Sequence, residues 1–409
     1  MLSTTSAFSW AALTWLSLTR PATALASYET IVSDVCIIGG GSSGTYSAIR
    51  LQQMGKKVSL IEKEGRLGGH ANVYHVPGTD DAFNYGVVVF ENTTIVTDYF
   101  RHLDVPLVKV DYSSGRSTEY ANFANGSIVS PSVFPSVVDT GAALLAYQQQ
   151  LAKYPYLASG FNLPSPVPKD LLLPWGDFLH NYNLGAMAYE VWLYTQGVAN
   201  SLALPTLYMM KLLNAQLTSS LISGGLLTTA HDNTQELYDK ALVELGPSAH
   251  ISSNITHIVR NHDCVEVHVS TPTGEKLIKA SKLIIAIEPK VSNLRFLDLS
   301  RQEQSTFGQF NNSYYWNAVI KGSGLPDNAS IDNVDPAAPW NIPALPGLYN
   351  VGGSGYSGLH IAYYSSPSYL SDDAVKADIL ATVARLVESL GLPPVKASPE
   401  FVGFNCHCP

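Results

Sequence analysis

The chain is poor in charged residues, and its few cysteines are badly placed for a metal site. Only 14% of its 409 residues are charged, and 33 Asp and Glu outnumber 24 Lys and Arg. Without a cluster of basic residues, we expect no binding to nucleic acid or to an anionic membrane. The terminal Cys406-His407-Cys408 offers fewer than the roughly four ligands of a zinc site, and no second cluster supplies the rest. No metal site is predicted.

Long hydrophobic runs are also missing. The apolar run at residues 8–18 is too short to span a bilayer, and Ala24-Leu25-Ala26 fits the cleavage pattern of a signal peptide. We therefore expect residues 1–26 to be removed, leaving no stable membrane span. Glycosylation sequons support a secreted or lumenal protein of the secretory pathway. They lie at Asn92, Asn125, Asn254, Asn311 and Asn328, of which Asn254 is expected in a buried strand and least accessible.

The chain is long, nearly half of its residues are hydrophobic, and it is rich in tyrosine. A length of 409 residues with 46% hydrophobic side chains predicts two domains, each with a substantial core. Tyrosine (22) outnumbers phenylalanine (13). Because tyrosine combines apolar area with a polar tip, this excess suits a flat polycyclic ligand. Ordinary buried tyrosines with hydrogen-bonded hydroxyls are the alternative explanation.

A strand, a glycine-rich turn, a helix and a second strand follow one another near the N-terminus, at residues 34–38, 39–44, 45–54 and 58–61. Such a βαβ unit places its two strands parallel. Periodicity predicts further helices and strands downstream. The helices are expected at 139–153, 175–198, 204–222, 234–245 and 372–390, the strands at 255–259, 265–269 and 283–287, and a proline-rich loop at 325–346.

The glycine-rich turn fits the G-x-G-x-x-G pattern of dinucleotide binding with Gly39, Gly41 and Gly44. Gly39 permits the tight turn, Gly41 lets the backbone approach a pyrophosphate, and Gly44 lets the helix pack closely on the sheet. The phosphates then meet free N–H groups and the positive end of the helix dipole. Ser43, inside the turn, is a further expected contact.

An acidic residue follows the turn at the spacing that a ribose ligand requires. Glu62 ends the second strand, 23 residues after Gly39, against the roughly 20 expected for the acid that binds the adenosine ribose. An acid in this position disfavours a 2′-phosphate, and therefore NADP. The neighbouring Lys63 is included among the cofactor contacts.

The sequence beyond Glu62 resembles the flavin amine oxidase superfamily. Residues 62–70 match that superfamily's E-x-x-x-R-x-G-G-x extension, which a simple NAD-binding unit does not require. The resemblance implies FAD as the cofactor. It places Arg66 near the phosphates, with Gly68 and Gly69 passing close under the dinucleotide.

Further segments extend the resemblance over about residues 30–290. In the middle of this range, the likeness lies in the helical content and not in specific motifs. Residues 84–87 resemble the segment that passes beside the flavin, and 233–237 the segment that leads back into the FAD domain. Residues 253–256 and 286–289 resemble the returning strands, where Ile255 would touch adenine through its backbone.

Within the superfamily, the chain is most similar to the group around beta-cyclopiazonate dehydrogenase. The Gly-Gly-His-Ala variant containing His70, and the stretch from Asn350 to Ile379, carry this resemblance. It implies a secretory-pathway flavoprotein that tailors fungal secondary metabolites.

One segment departs from the superfamily pattern. Residues 348–353 resemble the last glycine-rich FAD segment, but they lack its acidic residue, and residues 356–369 do not resume a helix. We therefore expect 348–353 on the substrate side. The chain would then stop at Pro409 before the last FAD segment, leaving one wall of the cofactor site open and activity in doubt.

Together these patterns predict an α/β fold. A Rossmann-like FAD-binding domain of the amine-oxidase type would comprise residues 27–95, 245–292 and part of 345–409. A largely helical α+β substrate domain, inserted in it, would comprise residues 96–244 and 293–344.

The predicted activity is a two-electron oxidation of a hydrophobic small molecule by non-covalently bound FAD, as a tailoring step in secondary metabolism. No Ser-His-Asp constellation or H-E-x-x-H motif is present. The candidate catalytic residues are His70, as a base or hydrogen-bond donor, and Tyr85, as a lining residue; both also fit structural roles. An amine or amino-acid oxidase and a truncated, non-catalytic flavoprotein are the alternatives.

Overall fold

The computed structural model describes residues 28–111, 117–195, 198, 200–395 and 397–406. The expected signal peptide and His407-Cys408 lie outside them. Sixteen strands occur within these ranges: β1 (Glu29–Ile38), β2 (Val58–Ile61), β3 (Val73–His75), β4 (Ala82–Asn84), β5 (Leu107–Lys109), β6 (Ser117–Ala121), β7 (Leu227–Thr229), β8 (Ala249–His250), β9 (Asn254–Arg260), β10 (Val265–Thr271), β11 (Gly274–Ile285), β12 (Tyr314–Lys321), β13 (Ala329–Asn333), β14 (Gly347–Gly353), β15 (Leu359–Ser366) and β16 (Glu400–Cys406).

Eleven α-helices and several short 3-10 turns occur in the same ranges. The helices are α1 (Ser42–Gln53), α2 (Thr94–His102), α3 (Val137–Leu151), α4 (Lys169–Leu172), α5 (Trp175–Asn181), α6 (Ala188–Tyr194), α7 (Thr206–Leu212), α8 (Ala215–Ser223), α9 (Gln235–Leu245), α10 (Arg301–Phe307) and α11 (Asp372–Ser389).

The first sheet has six strands in the order β8-β2-β1-β11-β10-β9. The predicted parallel pairing of β1 with β2 is confirmed, with Val35 opposite Val58 and Ile38 opposite Ile61. β11 is also parallel to β1, whereas β10 and β9 complete the sheet as antiparallel strands. The carboxyl ends of β1 and β2, where a ligand is expected in such sheets, therefore lie side by side.

The second sheet also has six strands, in the order β16-β12-β15-β14-β13-β6. Helix α11 covers one face of it with Val375, Ile379 and Val383, which join residues of β14 and β15 in one core. The region expected to be largely helical contributes β6, β12 and β13 to this sheet, and residues 345–409 contribute β14, β15 and β16. β14 (residues 347–353) pairs inside this sheet with β13 and β15, and its place on the substrate side stays a prediction.

Strand β16 complicates the predicted division at the C-terminus. It pairs with β12 in the second sheet, yet its last residues, Asn405 and Cys406, reach the cavity beside the first sheet. The division into an FAD-binding and a substrate domain stays a prediction. Two small sheets, β3-β4 and β5-β7, are the other pairings of named strands among the described residues.

Two predicted helices are interrupted. The 175–198 helix is divided into α5 and α6, because Asn183 adopts a left-handed conformation with φ 54°. The 204–222 helix is divided into α7 and α8, and Asn214 caps the second part by accepting a hydrogen bond from Leu217 N. The predicted loop at 325–346 was wrong in one part, since it contains β13.

The sequon asparagines are all exposed: Asn92, Asn125, Asn254, Asn311 and Asn328. The expected burial of Asn254 was wrong, because it is the first residue of β9 and its side chain reaches the surface. Among the described helices, none has both the length and the apolarity needed to cross a membrane.

Candidate cofactor site

The turn between β1 and α1 has a shape that only glycine permits at two positions. Gly39 has φ 98°, and a Cβ there would lie 2.8 Å from the carbonyl oxygen of Ala286. A Cβ on Gly44 would lie only 1.9 Å from the carbonyl oxygen of Gly39. The helix therefore rests directly on the turn, as the spacing predicts.

Gly41 has the opposite surroundings. It is the N-cap of α1 with φ −67°, and a Cβ built on it would meet nothing within 4 Å. No side chain caps this helix end. The first amide groups of a helix have no partners inside the helix, and here they border open space beside Ser43. The turn thus forms an anion-binding cradle with room for a ligand.

This space is a cavity of about 580 Å³ that most of the predicted cofactor residues line. It brings together Gly39, Gly41, Ser43, Glu62, Lys63, Arg66, Gly69 and His70. Gly44 lies beneath the turn. The structure also places Val87 and Glu288, from segments named in the resemblance, on the wall, together with Tyr238, Asn405 and Cys406, which the sequence did not indicate.

Glu62 stands between this cavity and a second one. One of its carboxylate oxygens accepts a hydrogen bond from Gly40 N (2.6 Å) and the other from Glu64 N (2.8 Å). These bonds hold the carboxylate at the end of β2, where it borders both cavities. The position suits a ribose ligand, as the spacing predicts.

The second cavity has a volume of about 320 Å³ and adjoins the first along Gly39 and Glu62. Ile255 lines it, together with Asn254 and Phe296. The contact of Ile255 with adenine, which the resemblance implies, stays a prediction that this cavity would accommodate. Phe296, whose ring is suited to pack against a flat base, was missed because no motif marks it.

Arg66 lines the cofactor cavity, but its guanidinium is occupied by the protein. It donates to the carbonyl oxygens of Gly69 (3.0 Å) and Ala71 (3.2 Å), to Asn72 Oδ1 (2.8 Å) and to Gln235 Oε1 (2.6 Å). These acceptors lie around the loop at residues 68–72 and at the start of α9. Arg66 therefore shapes the loop that forms the cavity wall, a role that the resemblance did not imply.

His70 faces the same cavity on the loop that Arg66 holds. The surrounding protein lowers the pKa of its imidazole by desolvation, and the nearby Arg66 lowers it further, while Glu288 acts in the opposite direction. The ring is consequently neutral near pH 7, and a neutral imidazole can both accept and donate a hydrogen bond.

Sequence comparisons identify the family to which the chain is similar. Residues 37–103 match the NAD(P)-binding Rossmann-like domain family. Over 392 residues the chain is 35% identical to the FAD-dependent oxidoreductase oblC of Cochliobolus heterostrophus, covering 94% of this chain and 81% of that protein. It is 31% identical to the beta-cyclopiazonate dehydrogenase of Aspergillus oryzae, covering 93% and 82%.

The chain belongs to this family of fungal FAD-dependent oxidoreductases. The predicted family is thereby confirmed. Solved structures confirm the fold. A fatty acid isomerase from P. acnes superposes with a TM-score of 0.71 at 20% identity, covering 91% of this chain and 85% of that one. Putrescine oxidase superposes with a TM-score of 0.63 at 19% identity, covering 92% and 85%.

Tyr85 connects the cofactor segment of this oxidoreductase to the second sheet. Its side chain is buried, its hydroxyl accepts a hydrogen bond from Asn405, and its carbonyl oxygen accepts one from Asn317. A Cβ on Gly403 would lie 3.3 Å from its ring, so β16 passes close beneath it. Burial raises the pKa of Tyr85. These contacts fit the packing role, not a lining role.

Cys406 reaches the cavity wall, a position that sequence reasoning missed. Its sulfur is part of a disulfide, so it is not a thiol available to a flavin. Cys36 and Cys264 are free, but Cys36 is fully buried inside β1. This arrangement is consistent with non-covalent cofactor binding.

The face of the second sheet opposite α11 carries tyrosines and one buried acid. Tyr315, Tyr349 and Tyr363 stack with ring centroids 6.0–6.3 Å apart. Nearby, Asp332 is 6% exposed and accepts a hydrogen bond from Asn350. Burial raises the pKa of Asp332 to about 6, and Glu190 adds to the shift.

Proposed function

We propose that the protein is an FAD-dependent oxidoreductase that performs a two-electron oxidation of a hydrophobic small molecule. The observation that carries the proposal is the cradle at the start of α1. There Gly41 borders open space, Gly44 lets the helix rest on the turn, and Glu62 stands between two adjoining cavities. Membership in a family of FAD-dependent oxidoreductases gives the dinucleotide its identity.

The residues that line the two adjoining cavities support the binding of FAD. The amide groups from Gly41 to Ser43 would hold the pyrophosphate, and Glu62 the ribose. The cavity at Ile255 and Phe296 would take the adenine. The remaining wall, with His70, Val87 and Asn405, would hold the flavin. When bound, FAD supplies the acceptor for the two electrons.

The protein itself would contribute two things to the reaction: a fixed cavity wall and a neutral imidazole that acts as a base. Arg66 fixes the loop that carries His70, so the imidazole is presented to the cavity in a defined position. Its lowered pKa keeps it unprotonated near neutral pH, ready to accept a proton from a substrate. His70 is therefore our candidate for the general base.

The relatives support a small-molecule substrate from secondary metabolism, since one of them is named beta-cyclopiazonate dehydrogenase. The signal-peptide pattern at residues 1–26 and five exposed sequons support a route through the secretory pathway. Metabolite profiling of a deletion strain would identify the accumulating substrate, and unchanged metabolites would contradict the tailoring role.

An absorbance spectrum tests the cofactor. Protein purified and reconstituted with FAD, then freed of unbound FAD, should retain the flavin bands; a colourless protein would refute the proposal. In the matched pair, Glu62→Gln should weaken FAD binding by about tenfold, because one charge-assisted bond is worth roughly 1.5–3 kcal/mol. Glu388→Gln, which alters an exposed carboxylate on α11 outside the cavity, should bind FAD as the parent does.

A turnover assay separates oxidase chemistry on amines from the proposed reaction. Peroxide production with simple amines or amino acids would favour an amine oxidase. FAD binding without any oxidation of metabolites from the native extract would favour the non-catalytic alternative.

A further inference from the structure

We propose that Tyr238 is a positioning residue of the cofactor site, which holds the hydroxyl of Ser42 so that it donates a hydrogen bond to the pyrophosphate of FAD. This inference rests on the proposed function, because it concerns the binding of the same cofactor. Ser42 is the first residue of α1 and follows Gly41, whereas Tyr238 lies on α9, a helix from a distant part of the chain. Both residues line the cofactor cavity.

The cofactor cavity offers a pyrophosphate dianion little free positive charge. Its described wall carries three carboxylates and two cations, which are Glu62, Glu64, Glu288, Lys63 and Arg66. The guanidinium of Arg66 donates to protein acceptors, and Lys63, whose side chain is 76% exposed, lies beside Glu64. The pyrophosphate therefore depends on uncharged donors, namely backbone amides and hydroxyls.

The hydroxyls of Ser42 and Tyr238 meet at the wall of this cavity. Ser42 is exposed, whereas Tyr238 is only 3% exposed. Burial raises the pKa of Tyr238, and a hydrogen bond with the side chain of Ser42 lowers it by a smaller amount. Because a hydroxyl can accept and donate at the same time, Ser42 can accept from Tyr238 and still donate to a ligand.

Packing and hydrogen bonds around α9 fix the ring of Tyr238. The ring belongs to a buried core that includes Ala241. Gly68 lies directly against it, since a Cβ on Gly68 would be 2.8 Å from the Tyr238 Cδ2 atom. One turn earlier in the helix, Gln235 donates to the carbonyl oxygen of Leu67 (3.0 Å) and so ties the same loop to α9. The hydroxyl is consequently held in place before a ligand binds, which lowers the entropy lost on binding.

The two hydroxyls would form a short chain of hydrogen bonds. Tyr238 would donate to Ser42, and Ser42 would donate to a phosphate oxygen. Neighbouring hydrogen bonds in such a chain polarise one another, and the bond that ends on a charged acceptor is the stronger one. Ser42 should therefore contribute directly to FAD binding, and Tyr238 should contribute through Ser42.

Fluorescence titration of the FAD-free protein with FAD tests this order. Ser42→Ala should weaken FAD binding by about tenfold, and Tyr238→Phe by about threefold to fivefold. The double variant should bind as weakly as Ser42→Ala alone, because Tyr238 acts through Ser42. Losses that add up in the double variant, or parent-like affinity in Ser42→Ala, would overturn the proposal.

Tyr99→Phe is the matched control for Tyr238→Phe. Tyr99 is buried in the same core, and its hydroxyl has no hydrogen-bond partner among the described residues. The control variant should bind FAD as the parent does. A loss equal to that of Tyr238→Phe would show that a change in core packing weakens binding, and it would refute the role of the Tyr238 hydroxyl.

Competition with ADP locates the contact on the cofactor, because ADP carries the adenosine and a diphosphate but no flavin. Ser42→Ala should weaken ADP by about the same factor as FAD. Parent-like affinity for ADP with weakened FAD would place the Ser42 hydroxyl at the flavin end and overturn the contact with the pyrophosphate. A parent protein that binds neither ligand refutes the proposed function, whereas variants with parent-like affinity for both ligands refute this inference alone.

Discussion

Two glycines of the same turn should respond to alanine in opposite ways. Gly44→Ala should destabilise the protein, whereas Gly41→Ala should leave stability nearly unchanged and weaken FAD binding. The two residues are only three positions apart, but their surroundings differ. A Cβ added to Gly44 would lie 1.9 Å from the carbonyl oxygen of Gly39, whereas a Cβ added to Gly41 would meet nothing within 4 Å.

The magnitudes follow from these distances. At Gly44 the helix must move away from the turn by more than 1 Å, and overpacking of this kind costs about 3 kcal/mol or more. At Gly41 the backbone angle φ −67° suits alanine, so unfolding should change by only about 0.5 kcal/mol. The methyl group there projects into the space for the pyrophosphate. Losing one charge-assisted hydrogen bond of about 1.5–3 kcal/mol weakens binding by roughly 10- to 150-fold.

Urea unfolding of the FAD-free protein measures the first effect, and fluorescence titration with FAD measures the second. Gly41→Ala should have the unfolding midpoint of the parent but a much higher dissociation constant for FAD. If Gly41→Ala bound FAD as tightly as the parent, the cradle would not be the pyrophosphate site. If both variants lost equal stability, the difference in packing would be refuted.

Three further predictions concern other parts of the site. Asp332→Asn should raise the free energy of unfolding at pH 8 by about 1–3 kcal/mol and change it little at pH 4.5. The raised pKa of about 6 means that the folded protein is destabilised as this buried carboxyl ionises, between about pH 4 and 6, so a less stable variant at pH 8 in urea unfolding would contradict the reasoning. Arg66→Lys should bind FAD as poorly as Arg66→Met in a fluorescence titration, because the loop needs a forked donor; parent-like affinity in Arg66→Lys would show that only its charge matters. Finally, peptide mass spectrometry of FAD-loaded protein from a eukaryotic secretory host should find Asn254 without glycan, since it lines the adenine cavity, and full occupancy would exclude FAD there.

The sequence alone determined the cradle. Gly39, Gly41, Gly44 and Glu62 lie within one βαβ unit, where steric limits on neighbouring residues and the spacing along one chain segment dictate their positions. The family extension after Glu62 added Arg66 and FAD. Local pattern also located β2, α9 and α11 closely, because their periodicity and end signals are contained in their own residues.

Only the tertiary structure decided what surrounds the cradle. Arg66 donates a hydrogen bond to Gln235, which is 169 residues away, and its guanidinium holds a loop in place instead of facing a ligand as a free cation. Asn405 and Cys406 reach the cavity because β16 pairs with β12, and Tyr85 is held by Asn317 for the same reason. Contacts of this kind depend on which distant segments pair. The periodicity of a single segment does not reveal its strand partner, because the pairing depends on burial and hydrogen bonding across the whole sheet.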